Sequence, residues 1–525
     1  TIMSENRQFL NNPATGARLV PVARHDAAQA ASAASTARVV QADWAARTVR
    51  DRARVFRRAV GYIVDHADEL AGIVSECTGK PRVDALSTEV MPGAIMSDYY
   101  ARNARRFLRP RRLKRSSLLF FNKRSVVRRE PYGIVGIISP WNYPLGIPLH
   151  EVITGLLCGN AVLLKVATQA QPVGEAIARM LSDCGLPEGL FHLLHLPGRI
   201  AGDALLDAGI GKLFFTGSTE VGRELAVKAG RRLIPVSLEL GGNDAMIVLA
   251  DAPIDRAVAG AVWAGLSNAG QSCGAVERLY VVDEIYEEFT ARLADAVSSL
   301  SVGPDTGFAF DIGSLTTADQ LATVRRQLAD ALADGARIVA RSKDADESDG
   351  LFHPAVVLAD VDPDSSVMRH ETFGPILAVE RVADESEAVR KANDSHLGLS
   401  GSVWTTRRAT GRRIAGRIEA GAVTVNDHLM SHGMAETPWG GYKSSGIGRS
   451  HGELGFHEMT QPKVVVEELL PRMRKNMWWH PYDRDVYDTL RAGLTAVYGR
   501  GPLRRARSAV RLASLFLARA FGVGR

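Results

Sequence analysis

The chain has 525 residues, 46% hydrophobic and 23% charged, proportions ordinary for a soluble globular protein of two or three domains. Four widely spaced cysteines argue against a disulfide framework. No stretch approaches the roughly 20 apolar residues needed to span a bilayer, and no secretory signal is visible, so a cytoplasmic location is expected. The net charge of +6 is local: residues 102–129 carry twelve Lys or Arg and residues 500–525 seven Arg, both without an acid, leaving the remainder near −13. No zinc-finger or RNA-recognition motif accompanies these runs, so nucleic acid is not an expected partner.

In chain order, residues 26–46 are Ala-rich and helical in pattern. A longer helix is predicted from Thr48 to about Cys77, with Val55, Phe56, Ala59, Ile63, Val64, Leu70, Ile73 and Val74 on one side. Thr48 is its N-cap, and Gly79 with Pro81 its stop. From 133 onward short apolar strands alternate with helical stretches: Ile134–Ile138, Ala161–Lys165, Leu213–Thr216 and Ala245–Leu249. After Cys273 the pattern resumes with Leu279–Val282, Ala336–Ala340, Ile376–Glu380 and Ala422–Asn426. The intervening lengths accommodate crossover helices, which predicts an α/β protein of two parallel-sheet lobes.

Cys273 lies in Asn268-Ala269-Gly270-Gln271-Ser272-Cys273-Gly274, 34 residues after the carboxylate in Glu239-Leu240-Gly241-Gly242-Asn243-Asp244. A lone cysteine is usually a small buried hydrophobe. On a Gly-flanked loop, with a glutamate on a second Gly-rich loop, it reads equally as a nucleophile beside a base. Gly217-Ser218-Thr219-Glu220-Val221-Gly222 follows a strand directly, so its N–H groups and helix start can meet a phosphate, although the spacing is not G-x-G-x-x-G. His150-Glu151 begins like a zinc-protease motif, but Thr154 stands where the second ligand belongs, so no metal site is expected.

Glu239-Leu240-Gly241-Gly242 and Gly270-Gln271-Ser272-Cys273 together resemble the active-site pair of the aldehyde dehydrogenase superfamily. Pro140-Trp141-Asn142-Tyr143-Pro144, Leu164-Lys165, Phe215-Thr216-Gly217-Ser218, Glu371-Thr372-Phe373-Gly374-Pro375 and Gly440-Gly441-Tyr442-Lys443 match in the same order. The similarity covers roughly residues 15–467. It implies a dinucleotide-binding domain (1–112 and 133–241), a catalytic domain (242–454) and a small β oligomerisation element (113–132 and 455–467). Residues 468–525 form an unusual C-terminal extension. A homodimer or homotetramer is implied.

The resemblance makes Cys273 the nucleophile, Glu239 the base and Asn142 the side-chain oxyanion donor. NAD or NADP would be held by Ser139, Trp141, Lys165, Thr168, Gly217, Ser218, Gly222, Leu240, Glu371 and Phe373. Many NAD-preferring members have Glu three residues after the strand-end lysine; here Thr168 stands there and would not repel a 2′-phosphate, so NADP is expected to be tolerated. The substrate pocket should draw on Tyr143, Ile147, His150, Ser272, Gly274, His428 and Trp439. This aromatic, neutral set favours medium- or long-chain or aromatic aldehydes, oxidised to the carboxylic acid through a Cys273 thiohemiacetal and thioester. Open alternatives are a succinate-semialdehyde-type dehydrogenase, a CoA-acylating enzyme, and a non-catalytic binding protein retaining the fold. In the extension, Leu503–Phe521 is a predicted basic amphipathic helix, with Ala506, Ala509, Val510, Ala513, Phe516, Leu517 and Ala520 opposite Arg504, Arg507, Ser508 and Arg511. Packing on a neighbouring subunit and peripheral membrane contact are both open to it.

Overall fold

The computed structural model describes residues 7–305, 307–343 and 350–522. They form two compact units: 1–107 with 131–461, and 108–130 with 462–525.

Among the described residues the larger unit holds two large sheets, of six and seven strands, beside two two-stranded ones. Strand Ile134–Ile138 is a continuous apolar run buried at every position, as expected for a strand covered on both faces. It pairs in parallel with Ala161–Lys165 on one side and Lys212–Thr216 on the other. The sheet extends to Phe191–Leu193 beyond the first and to Val236–Glu239 beyond the second, with the short Gly446–Ile447 antiparallel at one edge. Chain direction along the sheet therefore reverses at Ile134–Ile138, and ligands of such sheets bind at the carboxyl end of that switch. The second sheet runs in the order Arg337–Arg341, Val356–Ala359, Ile376–Val382, Val276–Val282, Asp244–Val248, Ser400–Trp404, Ala422–Val425. Only its first strand is antiparallel to its neighbour. Strands 244–248 and 276–282 run through the centre of its core.

Several sequence expectations change. The helix expected over 48–77 is two, Val49–Asp65 and Ala67–Thr78. His66 leaves helical geometry (φ −112°, ψ 21°) and its ring stacks on Tyr62 at 4.0 Å, while Asp68 and Glu69 open a new first turn. Within the first helix Val55, Phe56, Ala59 and Ile63 are buried, but Val64 is 63% exposed. The strand expected at 336–340 is an antiparallel edge rather than part of the parallel array, and its partner Val356–Ala359 carried no expectation. Ser400–Trp404 also went unforeseen: Ser-Gly-Ser is a poor strand former, and the segment is extended because it fits between 244–248 and 422–425.

In the smaller unit, Thr460–Glu468, Lys123–Pro131 and Arg111–Arg112 form a three-stranded sheet. Two helices follow, Arg484–Tyr498 and Pro502–Phe521, the second close to its expected span and the first unanticipated. Of the seven apolar residues that share one side of the last helix, only Ala520 is buried and Phe516 half-buried, while the other five, Val510 among them, are exposed. Leu512 and Leu515 turn inward instead. Among the described residues no helix is long and apolar enough to cross a membrane.

Candidate active site

Cys273 follows a tight turn, Ser267–Gly270, in which Asn268 and Ala269 both adopt φ 54°. That uncommon geometry is held from several sides. Asp84 accepts from Asn268 N (2.8 Å) and Ser267 Oγ (3.1 Å), and Gln271 Nε2 donates back to Asn268 O (2.9 Å). Asn142 joins the same network: its Nδ2 donates to Gln271 O at 3.0 Å and its carbonyl accepts from Asn268 Nδ2 at 2.9 Å. Its Oδ1 is buried without a partner. Gly242 permits the approach of the two loops, since a Cβ there would lie 2.3 Å from the Cys273 carbonyl oxygen.

Asn142 rests on a buried pair that sequence reasoning missed. Lys80 Nζ lies 2.7 Å from Glu89 Oε1 and 2.7 Å from the Asn142 carbonyl oxygen, with both side chains wholly buried. It also sits 4.3 Å from the Tyr143 ring centre. Glu89 Oε2 accepts from Leu145 N (2.7 Å) and Gly146 N (3.1 Å). A π-helical turn, Leu86–Val90, carries Glu89. In the sequence Lys80 carries no signal of its own, standing between Gly79 and Pro81 of the helix stop.

Two cavities meet at Cys273. One, of about 270 Å³, is lined by Trp141, Asn142, Ile147, Gly217, Ser218, Glu239, Leu240, Glu371 and Phe373, together with Pro140, Thr216, Gly241, Gln320, Thr323 and Thr372. Glu239 has Ser450 and Arg449 as polar neighbours, yet burial, then the neighbouring Glu151, holds its pKa well above the usual range. Glu151, on helix Gly146–Leu157, is pushed up to about 8 by burial. Glu371 accepts from Gly242 N (3.0 Å) and is raised to about 8, chiefly by burial. Buried Glu277 fixes the Glu371 loop by accepting from Thr372 N (2.9 Å) and Phe373 N (2.8 Å). The Phe373 ring stands edge-on to Trp141 at 5.5 Å. The Cys273 thiol is pushed up by burial first, then by Glu371, Asp244 and Glu239.

Ser218 caps helix Thr219–Arg231 at the crevice. Gly222 does not line it: a Cβ there would lie 2.5 Å from a Leu240 methyl, so this glycine serves helix packing. Lys165 ends its strand buried, lowered to about 8 by desolvation, with no carboxylate partner among the described residues. Ser139 Oγ is buried and unpartnered. Thr168 lines a separate cavity of about 340 Å³ with Ala23, Arg24, Gln171, His195, Pro197, Gly198 and Arg199. An unpaired buried ammonium, an orphaned hydroxyl and a capped helix start at the sheet's switch point fit a phosphate-bearing dinucleotide.

The other cavity, about 190 Å³, is lined by Tyr143, Ser272, Cys273, Trp263, Met91, Pro92, Ile95, Leu429, Met430, Gly433, Ser87, Thr88 and His432. Among the described residues, no Arg, Lys, Asp or Glu lines it. His432 is lowered to about 4 by burial and is neutral at physiological pH. Only Tyr143 and Ser272 of the expected pocket residues are here; Ile147 lies in the first cavity. The other four are displaced by their own partners. His150 accepts from His451 N at 3.2 Å, and His428 binds Ser402 Oγ (2.7 Å) and the Gly274 carbonyl (3.1 Å). Trp439 is buried against Gly274 and His432. Thr88, Met91, Pro92 and Ile95 share a helical face at three- and four-residue spacing, a periodicity visible in sequence, but nothing there says that the face meets a ligand.

Comparisons agree with this architecture. The Aldehyde dehydrogenase family profile matches residues 2–465. A Mycobacterium tuberculosis protein provisionally named succinate-semialdehyde dehydrogenase (NADP(+)) 2 is 39% identical over 453 residues, covering 86% of this chain and 87% of its own. The 4,4'-diapolycopene aldehyde oxidase of a Methylomonas species is 38% identical over 458 residues, covering 87% and 84%. The NAD+ complex structure of an aldehyde dehydrogenase from Bacillus cereus superposes with a TM-score of 0.84 at 30% identity, covering 88% of this chain and 93% of its own. The chain belongs to the aldehyde dehydrogenase family, oxidoreductases that oxidise aldehydes with NAD(P)+.

Proposed function

We propose that this enzyme oxidises apolar aldehydes, medium- or long-chain or aromatic, to free carboxylic acids through a thioester on Cys273. The observation that carries this reading is the position of Cys273, common to a charge-free apolar cavity and to the crevice that suits the dinucleotide. Sγ adds to the aldehyde carbon while its proton passes toward Glu239, and the carbonyl electrons move to oxygen. Asn142 Nδ2 and the Cys273 N–H are the donors for that oxyanion. The bound dinucleotide supplies a hydride acceptor. Loss of hydride from the thiohemiacetal carbon re-forms the C=O as a thioester. Once Glu239 has released that first proton to solvent, it takes a proton from water, whose oxygen adds to the acyl carbon; the C–S bond breaks, Sγ takes the proton back from Glu239 and the acid leaves.

A second reading, succinate-semialdehyde oxidation, is favoured by the mycobacterial relative's name. Its distal carboxylate would meet Ser87, Thr88, Tyr143, Trp263, Ser272 and neutral His432 as polar side chains in the cavity, and no Arg or Lys among the described residues. Decanal and benzaldehyde are therefore expected to exceed succinate semialdehyde in kcat/KM by about 100-fold or more, the equivalent of ~3 kcal/mol. Succinate semialdehyde ranking first in a 340 nm assay would overturn the apolar assignment.

For the dinucleotide we infer that NADP+ is accepted, supported by Thr168 and by Arg24 and Arg199 in the same cavity. Adenosine 2′,5′-bisphosphate should bind more tightly than 5′-AMP by calorimetry. Arg199→Ala should erase about 1–2 kcal/mol of that difference, as charge-assisted contacts do. Equal affinities in the wild type would remove the argument.

Lys80→Met should strand the Glu89 carboxylate in the core, costing about 3–5 kcal/mol of stability. Adding Glu89→Gln should restore part of the melting temperature but not kcat, because Asn142 still lacks its anchor. Full kcat in the double variant would show that the pair acts only on stability. We further infer a cytoplasmic homo-oligomer, dimer or tetramer. Support comes from the four free cysteines and from the edge strand Thr460–Glu468, whose Val464 and Val466 are exposed. Light scattering that returned a monomer would refute the assembly.

A further inference from the structure

The catalytic reading leaves the smaller unit unexplained. Its 87 residues, 108–130 with 462–525, hold 22 Lys and Arg against six Asp and Glu, a net +16, while the rest of the chain carries −10. The tail is built rather than loose. Helices Arg484–Tyr498 and Pro502–Phe521 form a hairpin across Gly499–Gly501 and pack together, with Arg511 bonded to Asp488 at 2.9 Å. Gly493 lets Leu119 and Leu512 close in, and the Phe121 and Phe516 rings meet edge-on at 5.4 Å. Arg474 N donates to Ala520 O at 2.7 Å.

With that inner side satisfied, each helix still carries a second apolar stripe facing outward. Along the last helix it runs through Leu503, Ala506, Val510, Ala513 and Leu517, at three- and four-residue spacing; Leu503 is 76% and Val510 72% exposed. Along the preceding helix it runs through Tyr487, Leu490, Leu494 and Tyr498, all exposed. Arg504, Arg507 and Arg511 border the first stripe on one side, and helix 502–521 has five arginines and no acid.

We propose that this helical hairpin docks in the plane of an anionic lipid surface. An outward apolar stripe bordered by arginines matches an interface with hydrocarbon below and anionic headgroups beside it. The mean hydropathy is too low for insertion across a bilayer. A second copy is the poorer occupant, because stripes that pair between helices are bordered by opposite charges, whereas the stripe of helix 502–521 is bordered by arginines and that helix has no acid.

The test is co-sedimentation of the full chain with phosphatidylcholine vesicles with and without phosphatidylserine, at low and high NaCl. Binding should require phosphatidylserine and weaken with salt. Arg504→Gln with Arg507→Gln should lower the partition coefficient about 30-fold, from roughly 1 kcal/mol per charge. Leu503→Ser with Val510→Ser should lower it as well, with oxidation of a short aldehyde and the light-scattering mass unchanged in both variants. Failure to bind phosphatidylserine vesicles would overturn the proposal, as would equal binding to phosphatidylcholine alone. A smaller assembly in the Leu503→Ser, Val510→Ser variant would overturn it in favour of a second copy.

Discussion

Cys273→Ala is expected to lower kcat/KM for every aldehyde on the order of 10⁴-fold or more, as removal of a nucleophile does elsewhere. The thiol lies where the two cavities meet, and no other cysteine lines either of them. Its surroundings make a free thiolate costly, since burial and three carboxyl groups all oppose the anion. Attack must therefore be coupled to proton removal, which the nearby Glu239, itself a stronger base than an ordinary carboxylate, can accept. The substitution removes a half-buried side chain, so folding and dinucleotide affinity should barely change. Residual turnover within tenfold of wild type, with folding intact, would show that the chemistry runs elsewhere.

Glu239→Gln is expected to lower steady-state kcat about 10²–10⁴-fold, the range of general acid–base catalysis. If activation of water is its larger role, the variant should still give a rapid burst of reduced dinucleotide, close to one per subunit, before slowing. The wild-type pH profile should reflect the same carboxyl. Burial and Glu151 raise its folded pKa, so the base form is scarce at low pH and turnover climbs as pH rises. Glu151→Gln removes one repelling neighbour, lowers the Glu239 pKa and shifts the ascending limb to lower pH. An unmoved limb would separate the two groups.

The three central strands of the first sheet were legible because wholly buried parallel strands are continuous apolar runs, as in Ile134–Ile138 and Ala161–Lys165, whereas the shorter Phe191–Leu193 and Val236–Glu239 were not. Ser400–Trp404 was not, because its extension comes from its two neighbours rather than from its own side chains. Motifs located Cys273, Glu239 and Asn142, whose Gly-rich or Pro-bounded settings are visible in sequence. The substrate cavity was harder to read, since Met91, Trp263 and Met430 lie on separate elements and none belongs to a motif. His150 and His428 were expected at the ligand yet bond to backbone and hydroxyl groups away from it, a distinction that depends on tertiary partners. The Lys80–Glu89 pair, nine residues apart, is closed across a π-helical turn that carries Glu89, a geometry with no signal in the sequence.

The most direct test of the account is to react Glu239→Gln with decanal and the oxidised dinucleotide, quench in acid, and sequence the peptides by mass spectrometry. The account predicts a decanoyl group on the peptide containing Cys273 and none on Cys77, Cys158 or Cys184. Reduced dinucleotide formed without an acyl group on Cys273, or with one on another residue, would contradict it.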